Sequence, residues 1–474
     1  MIGKNDIDEN FKFLDIDMKK RSQFGSSFLT LYTDVQTEFE NLEQFPSSTF
    51  RLDLIRPDSR GDAKCKVFKG RSSAKYYTGF VPVLKDYNGG NGLLRRMTVY
   101  QCDPASSDIA KEFTAKTQDC NDGNYPPHTV CKSVLFIWTP GSGGEMLQQG
   151  AGLEALLDEK RKHYFLLENI YNAGTGFLSD NSGVELFYSR QALQPAGKMI
   201  IGHRHSNKLV VMPEVEDWRT TGLCSSLCLR MSTVNMINIS SVSLHAGDQV
   251  DKVRLVVMQE GRSETVVSGY RSDYQPVRQL YTPHGVDTRQ GDMVVECTYS
   301  NKNSFMLTGG VGKGGREECF AVVTYTPKIE MVECVSEPDK TSMEDSYNIE
   351  YEEYSTGVQQ MMKMWTNLTE VEKKEVNIKS YNNSLAIFCT NHDLTKTKKA
   401  GVKAPTVEEE SNTQECPREP SLESKEIKSP RNGRVLDWDA DIRQFETGTK
   451  NTGSAVIKNL ISVTIFKTLL LFIL

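Results

Sequence analysis

Residues 93–102 read Leu93–Leu94–Arg95–Arg96–Met97–Thr98–Val99–Tyr100–Gln101–Cys102, and residues 131–138 read Cys131–Lys132–Ser133–Val134–Leu135–Phe136–Ile137–Trp138. Leu93–Cys102 and Ser133–Thr139 are short runs rich in β-branched and aromatic residues and bounded by turn formers, the pattern of a strand. From about Phe50 to Pro327 the same signal recurs. It predicts strands over Lys75–Leu84, Tyr164–Asn172, Val184–Arg190, Val234–Leu244, Val253–Gln259, Met293–Tyr299 and Phe320–Thr326. Leu153–Lys162 is the main window with a helical period. Strands at this spacing indicate β-sandwiches, and the length of the stretch suits two.

Beyond Cys334 the pattern changes. Val358, Met361, Met362, Trp365 and Leu368 stand at helical spacing and predict an amphipathic helix within Tyr354–Lys374, its Met-rich face packing onto a sandwich. Lys396–Asn432 is Lys-, Glu-, Ser- and Pro-rich and reads as disordered linker. The expected organisation is an N-terminal segment 1–47, sandwiches over 48–193 and 194–340, an extension packed on the sandwich over 341–395, a linker over 396–450 and an apolar tail over 451–474. The fold class is all-β: two tandem, jelly-roll-like sandwiches, disulfide-linked, with a C-terminal helical and disordered extension.

The 474 residues carry a net charge of −6 and no basic cluster interleaved with aromatics, which argues against nucleic acid as a partner. Eleven cysteines at irregular spacing, none in a Cys-x-x-Cys pair, point to the secretory pathway. Sequons at Asn238, Asn367 and Asn382 agree. Met1–Lys20 lacks the apolar stretch of a secretory signal. Either the protein stays inside the cell or its true N-terminus lies upstream, and the cysteines favour the second. At the other end, Gly453–Ser454–Ala455 followed by the apolar Leu460–Leu474 resembles a lipid-anchor signal, although its spacer is short and Lys467 interrupts the run.

The landmarks taken together resemble the copper type II, ascorbate-dependent monooxygenase family, in the manner of dopamine beta-hydroxylase and its peptide-amidating relative. They comprise the two runs above, Cys65–Lys66–Val67–Phe68–Lys69, Gly222–Leu223–Cys224–Ser225–Ser226–Leu227–Cys228, Tyr274–Gln275–Pro276–Val277–Arg278, Gly291–Asp292, Cys297–Thr298–Tyr299, Gly309–Gly310 and Glu317–Glu318–Cys319. The resemblance covers roughly Ser59–Cys389. It implies two sandwiches that each hold one copper, on faces separated by solvent, with ascorbate as reductant. It also implies the pairs Cys65–Cys120, Cys102–Cys131, Cys224–Cys334, Cys228–Cys389 and Cys297–Cys319, leaving Cys416 over. Each bridge would stabilise by ~2–4 kcal/mol.

The copper ligands implied by the resemblance are mostly replaced. A His-His pair falls on Arg95 and Arg96, and a third His on Asn169. Guanidiniums have no lone pair for a metal and repel one. Of a His-Thr-His segment, His245 survives and Gly247 takes the second imidazole's place, while a Met ligand falls on Glu318. A redox copper needs softer company than one imidazole and a carboxylate, and His245 with Glu318 gives too few ligands for zinc. These two are expected as a leftover surface histidine and a solvated glutamate. His203 and His205 would share one face of a strand, expected exposed on an edge. His128, His163, His284 and His392 have no assignable partner. Gly309–Gly315 reads as a hairpin loop, and Arg60–Gly61–Asp62 matches a short adhesion signal.

The leading expectation is a dopamine beta-hydroxylase-like member without catalytic residues or cofactor, acting as a binding or cell-surface protein on a ligand or protein the sequence does not name. The alternative is a copper- and ascorbate-dependent monooxygenase that hydroxylates a small amine or peptide.

Overall fold

The structure, a computed structural model, describes residues 45–403 except for 57–62, 85–93, 121–124, 141, 172–178, 205–208, 248, 271–276, 303–306, 309–316, 350–353 and 393–395. Met1–Lys20, Arg60–Gly61–Asp62, His205, Gly309–Gly315, Cys416, Gly453–Ala455 and Leu460–Leu474 lie outside the described residues.

All nine apolar runs are strands, among them Tyr76–Val83, Leu94–Cys102, Cys131–Trp138, Tyr164–Tyr171 and Cys319–Thr326. A five-stranded sheet orders Gln118–Asp119, Ala63–Lys69, Tyr164–Tyr171, Leu94–Cys102 and Cys131–Trp138. It faces part of a 12-stranded sheet carrying Ser47–Arg51, Gly183–Ser189 and Tyr76–Val83. Phe80, Val99, Phe136, Phe165, Leu167 and Leu186 belong to the core of this first sandwich.

The 12-stranded sheet continues through Gln194–His203, Cys319–Thr326, Met236–Ala246 and Val277–Asp287. That part packs against a four-stranded sheet of Val215–Cys224, Asp292–Asn301, Val250–Gln259 and Arg262–Tyr270 around Trp218, Leu244, Val295 and Tyr325. The two sandwiches share this sheet because Gln194–Ala196 runs parallel to, and pairs with, Ala151–Leu153.

Leu94–Cys102 and Cys131–Trp138 are buried on both faces, which is why their apolar runs are nearly continuous rather than alternating. One face meets the first sandwich's core. The other packs on the second sandwich in a separate apolar cluster that includes Tyr100, Val134, Ile137 and Leu166 with Ile200, Phe320 and Val322. Burying a side chain of this size stabilises by about 1.5–3 kcal/mol relative to exposure.

Five disulfides join Cys65 to Cys120, Cys102 to Cys131, Cys224 to Cys334, Cys228 to Cys389 and Cys297 to Cys319. Cys334 and Cys389 sit opposite one another on paired strands. The turn around the short helix Ser226–Leu229 is thereby stapled to both strands at once.

Three elements differ from the sequence reading. Leu153–Lys162 is not helical: Ala151–Glu154 is a strand, because Leu153 pairs with Tyr77 and with Ala196, and the chain then turns where Asp158 Oδ1 accepts from the Lys162 amide. The Tyr354–Lys374 helix stops at Trp365; a second helix, Glu370–Tyr381, starts where the Thr369 side chain caps the Glu372 amide and Glu372 reaches back to Thr369. Lys396–Lys403, expected as linker, is a strand on the edge of Ser384–Asn391, where Lys396 and Lys398 lie over the Phe388 ring at 4.2 and 5.6 Å. Paired backbone and lysine stems laid on an aromatic face supply the order that composition did not suggest.

Candidate functional site

The first group of ligand positions lies on the central strand Leu94–Cys102. Its pairing with Tyr164–Tyr171 skips a residue between Leu94 and Arg96, so Arg95 is an extra residue in the ladder. Arg96 stands opposite Ile170, Met97 opposite Asn169 and Thr98 opposite Glu168. Alternation places Arg96, Ile170 and Glu168 on the face turned to the second sandwich, and Met97 and Asn169 on the face of the first sandwich's core. Asn169 is fully buried there, its Nδ2 donating to Ser182 O and Tyr171 Oη, each at 3.3 Å. The assignment of the third ligand position to Asn169 is therefore corrected. A residue on the core face cannot share a metal with Arg96, and the position on the right face is Ile170. A slip of one residue along a strand reverses every side chain.

The second group lies where Met236–Ala246 meets Cys319–Thr326. His245 stands opposite Phe320, and their rings stack with centroids 4.8 Å apart at 19°. Neither His245 nor Glu318 is at the surface, as had been expected; they are 4% and 8% exposed. His245 Nε2 lies 2.7 Å from Ser243 Oγ. Burial, then the Arg96 charge, outweighs the pull of Glu318 and lowers the His245 pKa to about 3, so the ring is neutral at physiological pH. At Gly247, a Cβ would lie 1.8 Å from Glu317 Oε2. An imidazole at this position requires the Glu317 side chain to move.

The two groups touch. Arg96 Nη1 donates to Glu318 Oε2 at 2.5 Å, across 222 residues of chain, with Arg96 only 3% exposed. Phe320 packs against both partners of this corner: the Arg96 guanidinium lies 5.5 Å from its centroid, and His245 stacks on the ring. Burial opposes the charge on Arg96, but Glu318 and then Glu168 outweigh it and hold its pKa above the ordinary value. Arg204 lies over Tyr100 at 4.8 Å and pairs with Glu333 at 3.6 Å; burial draws it down to about 10. A second buried ion pair joins the sandwiches: Lys198 Nζ to Glu145 Oε2 at 2.5 Å, with Ser241 and Thr324 hydroxyls donating to Glu145 Oε1. Ligand positions expected on faces separated by solvent are thus in direct contact.

These residues do not fit a redox copper. Arg96 has no lone pair to offer, Ile170 is apolar, Gly247 has no side chain, and the carboxylate of Glu318 is engaged by a guanidinium. His245 is the one imidazole at these positions, and Ser243 occupies its Nε2. Sequence reasoning missed Lys198, Arg204 and Glu145. The available signal was a lone charge inside an apolar strand, as in Ala196–Gly197–Lys198–Met199–Ile200.

Among the other described histidines, His128, His163, His203 and His284 have side-chain partners of their own. His203 is not on an exposed edge: it is 2% exposed, with Nδ1 2.6 Å from Ser336 O and Nε2 2.8 Å from Thr221 O. His163 Nε2 meets Tyr77 Oη at 2.6 Å, His128 pairs with Glu168 at 3.1 Å, and His284 with Glu264 at 3.6 Å. Of the sequons, Asn367 and Asn382 are exposed, whereas Asn238 is half-buried in a strand paired on both sides.

A disulfide-stapled pair of β-sandwiches that share one sheet defines a two-domain, all-β protein. The N-terminal domain model of the copper type II ascorbate-dependent monooxygenases matches residues 52–177, and the C-terminal domain model matches residues 194–347. The chain belongs to the copper type II ascorbate-dependent monooxygenase family. It is 28% identical over 269 residues to DBH-like monooxygenase protein 1 of Homo sapiens, covering 54% of this chain and 43% of that protein. It is 26% identical over 291 residues to MOXD1 homolog 1 of Drosophila melanogaster, covering 57% and 41%. The chain thus spans less than half the length of these two relatives. A solved structure of N-glycanase F aligns with 59% of this chain and 94% of that one at 10% identity; its TM-score of 0.25 is too low to carry an argument.

Proposed function

We propose that this chain is a non-catalytic, dopamine beta-hydroxylase-like protein whose copper positions have become a contact between the two sandwiches. The observation that carries the reading is the buried Arg96–Glu318 pair, which joins a residue from each group of ligand positions. Copper chemistry in the family needs imidazole and thioether donors open to metal and substrate. Here a guanidinium and a carboxylate neutralise each other in the same place, and the remaining imidazole is stacked and hydrogen-bonded. Five disulfides and two exposed sequons favour an extracellular or cell-surface binding role. With Cu²⁺, ascorbate and tyramine supplied, the protein is expected to consume no oxygen above a protein-free control. Hydroxylated product that disappears on His245→Ala would return the chain to the enzymes.

A further inference from the structure

We propose that Cys65, Cys120, His128 and Glu168 form a zinc site that is masked while the two cysteines are joined and assembles when they are reduced. The four residues come from separate elements: Cys65 from the strand Ala63–Lys69, Cys120 from just beyond Gln118–Asp119, His128 from the turn of helix Pro126–Val130, and Glu168 from the strand Tyr164–Tyr171. One ligand atom from each lies within 4.8 Å of all the others. His128 Nε2 is the hub, 3.1 Å from Glu168 Oε1 and 3.8 Å from Cys65 Sγ.

Two sulfurs, an imidazole and a carboxylate are a zinc donor set, and zinc takes four such ligands tetrahedrally at about 2.0–2.3 Å. While the sulfurs are bonded to each other they are poor donors, and His128 with Glu168 alone is too few. A dithiol reductant changes this. Its two electrons break the Cys65–Cys120 bond, the dithiol leaves as its own disulfide, and two thiols remain. Zn²⁺ binding then releases one proton from each thiol. Glu168 is already oriented as a ligand, because Tyr100 Oη donates to its Oε2 at 3.0 Å and leaves Oε1 turned to His128. The resulting centre, with two thiolates and a carboxylate around Zn²⁺, carries one negative charge, and Arg96 is near enough to Glu168 to feel its field. Cys65 and Cys120 are fully buried, but the His128 side chain is 18% exposed and gives the ion a way in.

The reading is independent of the lost copper sites and can fail without them. The full chain is reduced, then refolded in a glutathione redox buffer with or without Zn²⁺, and each disulfide is followed by differential alkylation and mass spectrometry. With zinc, four bridges should close while Cys65 and Cys120 stay open together, with one zinc bound per chain. Without zinc, all five should close. His128→Ala should close the fifth bridge whether or not zinc is present. Tyr100→Phe keeps the ring and removes the hydroxyl that orients Glu168; it should weaken zinc binding about 10–100-fold, the usual effect of losing an outer-shell partner. Closure of Cys65–Cys120 at the same rate with and without zinc would overturn the proposal. So would zinc protection that survives His128→Ala unchanged.

Discussion

At the scale of single residues, the Arg96–Glu318 pair has an asymmetric energetic signature. Removing one member leaves the other charge buried without its partner, which typically costs about 3–5 kcal/mol. Replacing both by apolar residues of similar volume is often neutral or stabilising. Arg96→Ala and Glu318→Ala should therefore each lower the urea midpoint strongly, while Arg96→Met combined with Glu318→Leu should recover most of the loss. Equal and additive losses in all three variants would show that the pair is not a unit. The same geometry predicts that restoring ligands at the second site alone, by Gly247→His and Glu318→Met, gives weak copper binding. Glu318→Met strands Arg96, and Gly247→His meets the Glu317 carboxylate. Histidines add a pH dependence. His245 and His163 have pKa values lowered to about 3 and about 4, chiefly by burial. The unfolded chain, with histidines near 6.5, binds protons that the folded chain does not, so stability falls as pH drops from about 6.5 toward 4. Denaturation midpoints measured across that window should decline, and the decline should be shallower in His163→Asn. A midpoint that holds constant from pH 7 to 4 would contradict the neutral, buried assignments.

At the scale of elements, strand positions were legible because a strand buried on both faces must be apolar almost throughout, as Leu94–Cys102 and Cys131–Trp138 are. Facing was harder to read. Asn169 and Ile170 are adjacent in sequence and opposite in orientation, and only the ladder with Leu94–Cys102, with its skipped residue at Arg95, decides between them. Helical periodicity misled at Leu153–Lys162 because sheet pairing on both sides of Leu153 outweighs local pattern. It succeeded at Tyr354–Trp365, where Trp365 is buried against Trp218 with ring centroids 5.8 Å apart and its Nε1 donates to Pro213 O. Trp365→Ala removes a large buried side chain and should cost about 3–5 kcal/mol by chemical denaturation. A loss below about 1 kcal/mol, the range of surface substitutions, would mean the helix is only loosely attached.

At the scale of the whole molecule, the sequence carried the family and the two sandwiches. It did not carry the contact between the sandwiches. That contact depends on Lys198, Arg204 and Glu145, charges whose partners lie far away in the chain; a lone charge in an apolar run points to burial but does not name its partner. The expectation of a solvated Glu318 failed for the same reason, since its partner Arg96 belongs to the other sandwich. If the copper positions have been converted into this contact, the oxidised protein offers copper no site. Equilibrium copper titration of the fully oxidised protein, with metal content read after desalting, decides this. No stoichiometric copper is expected at micromolar metal, and no change in content on His245→Ala. Two coppers per chain, one of them lost on His245→Ala, would contradict it.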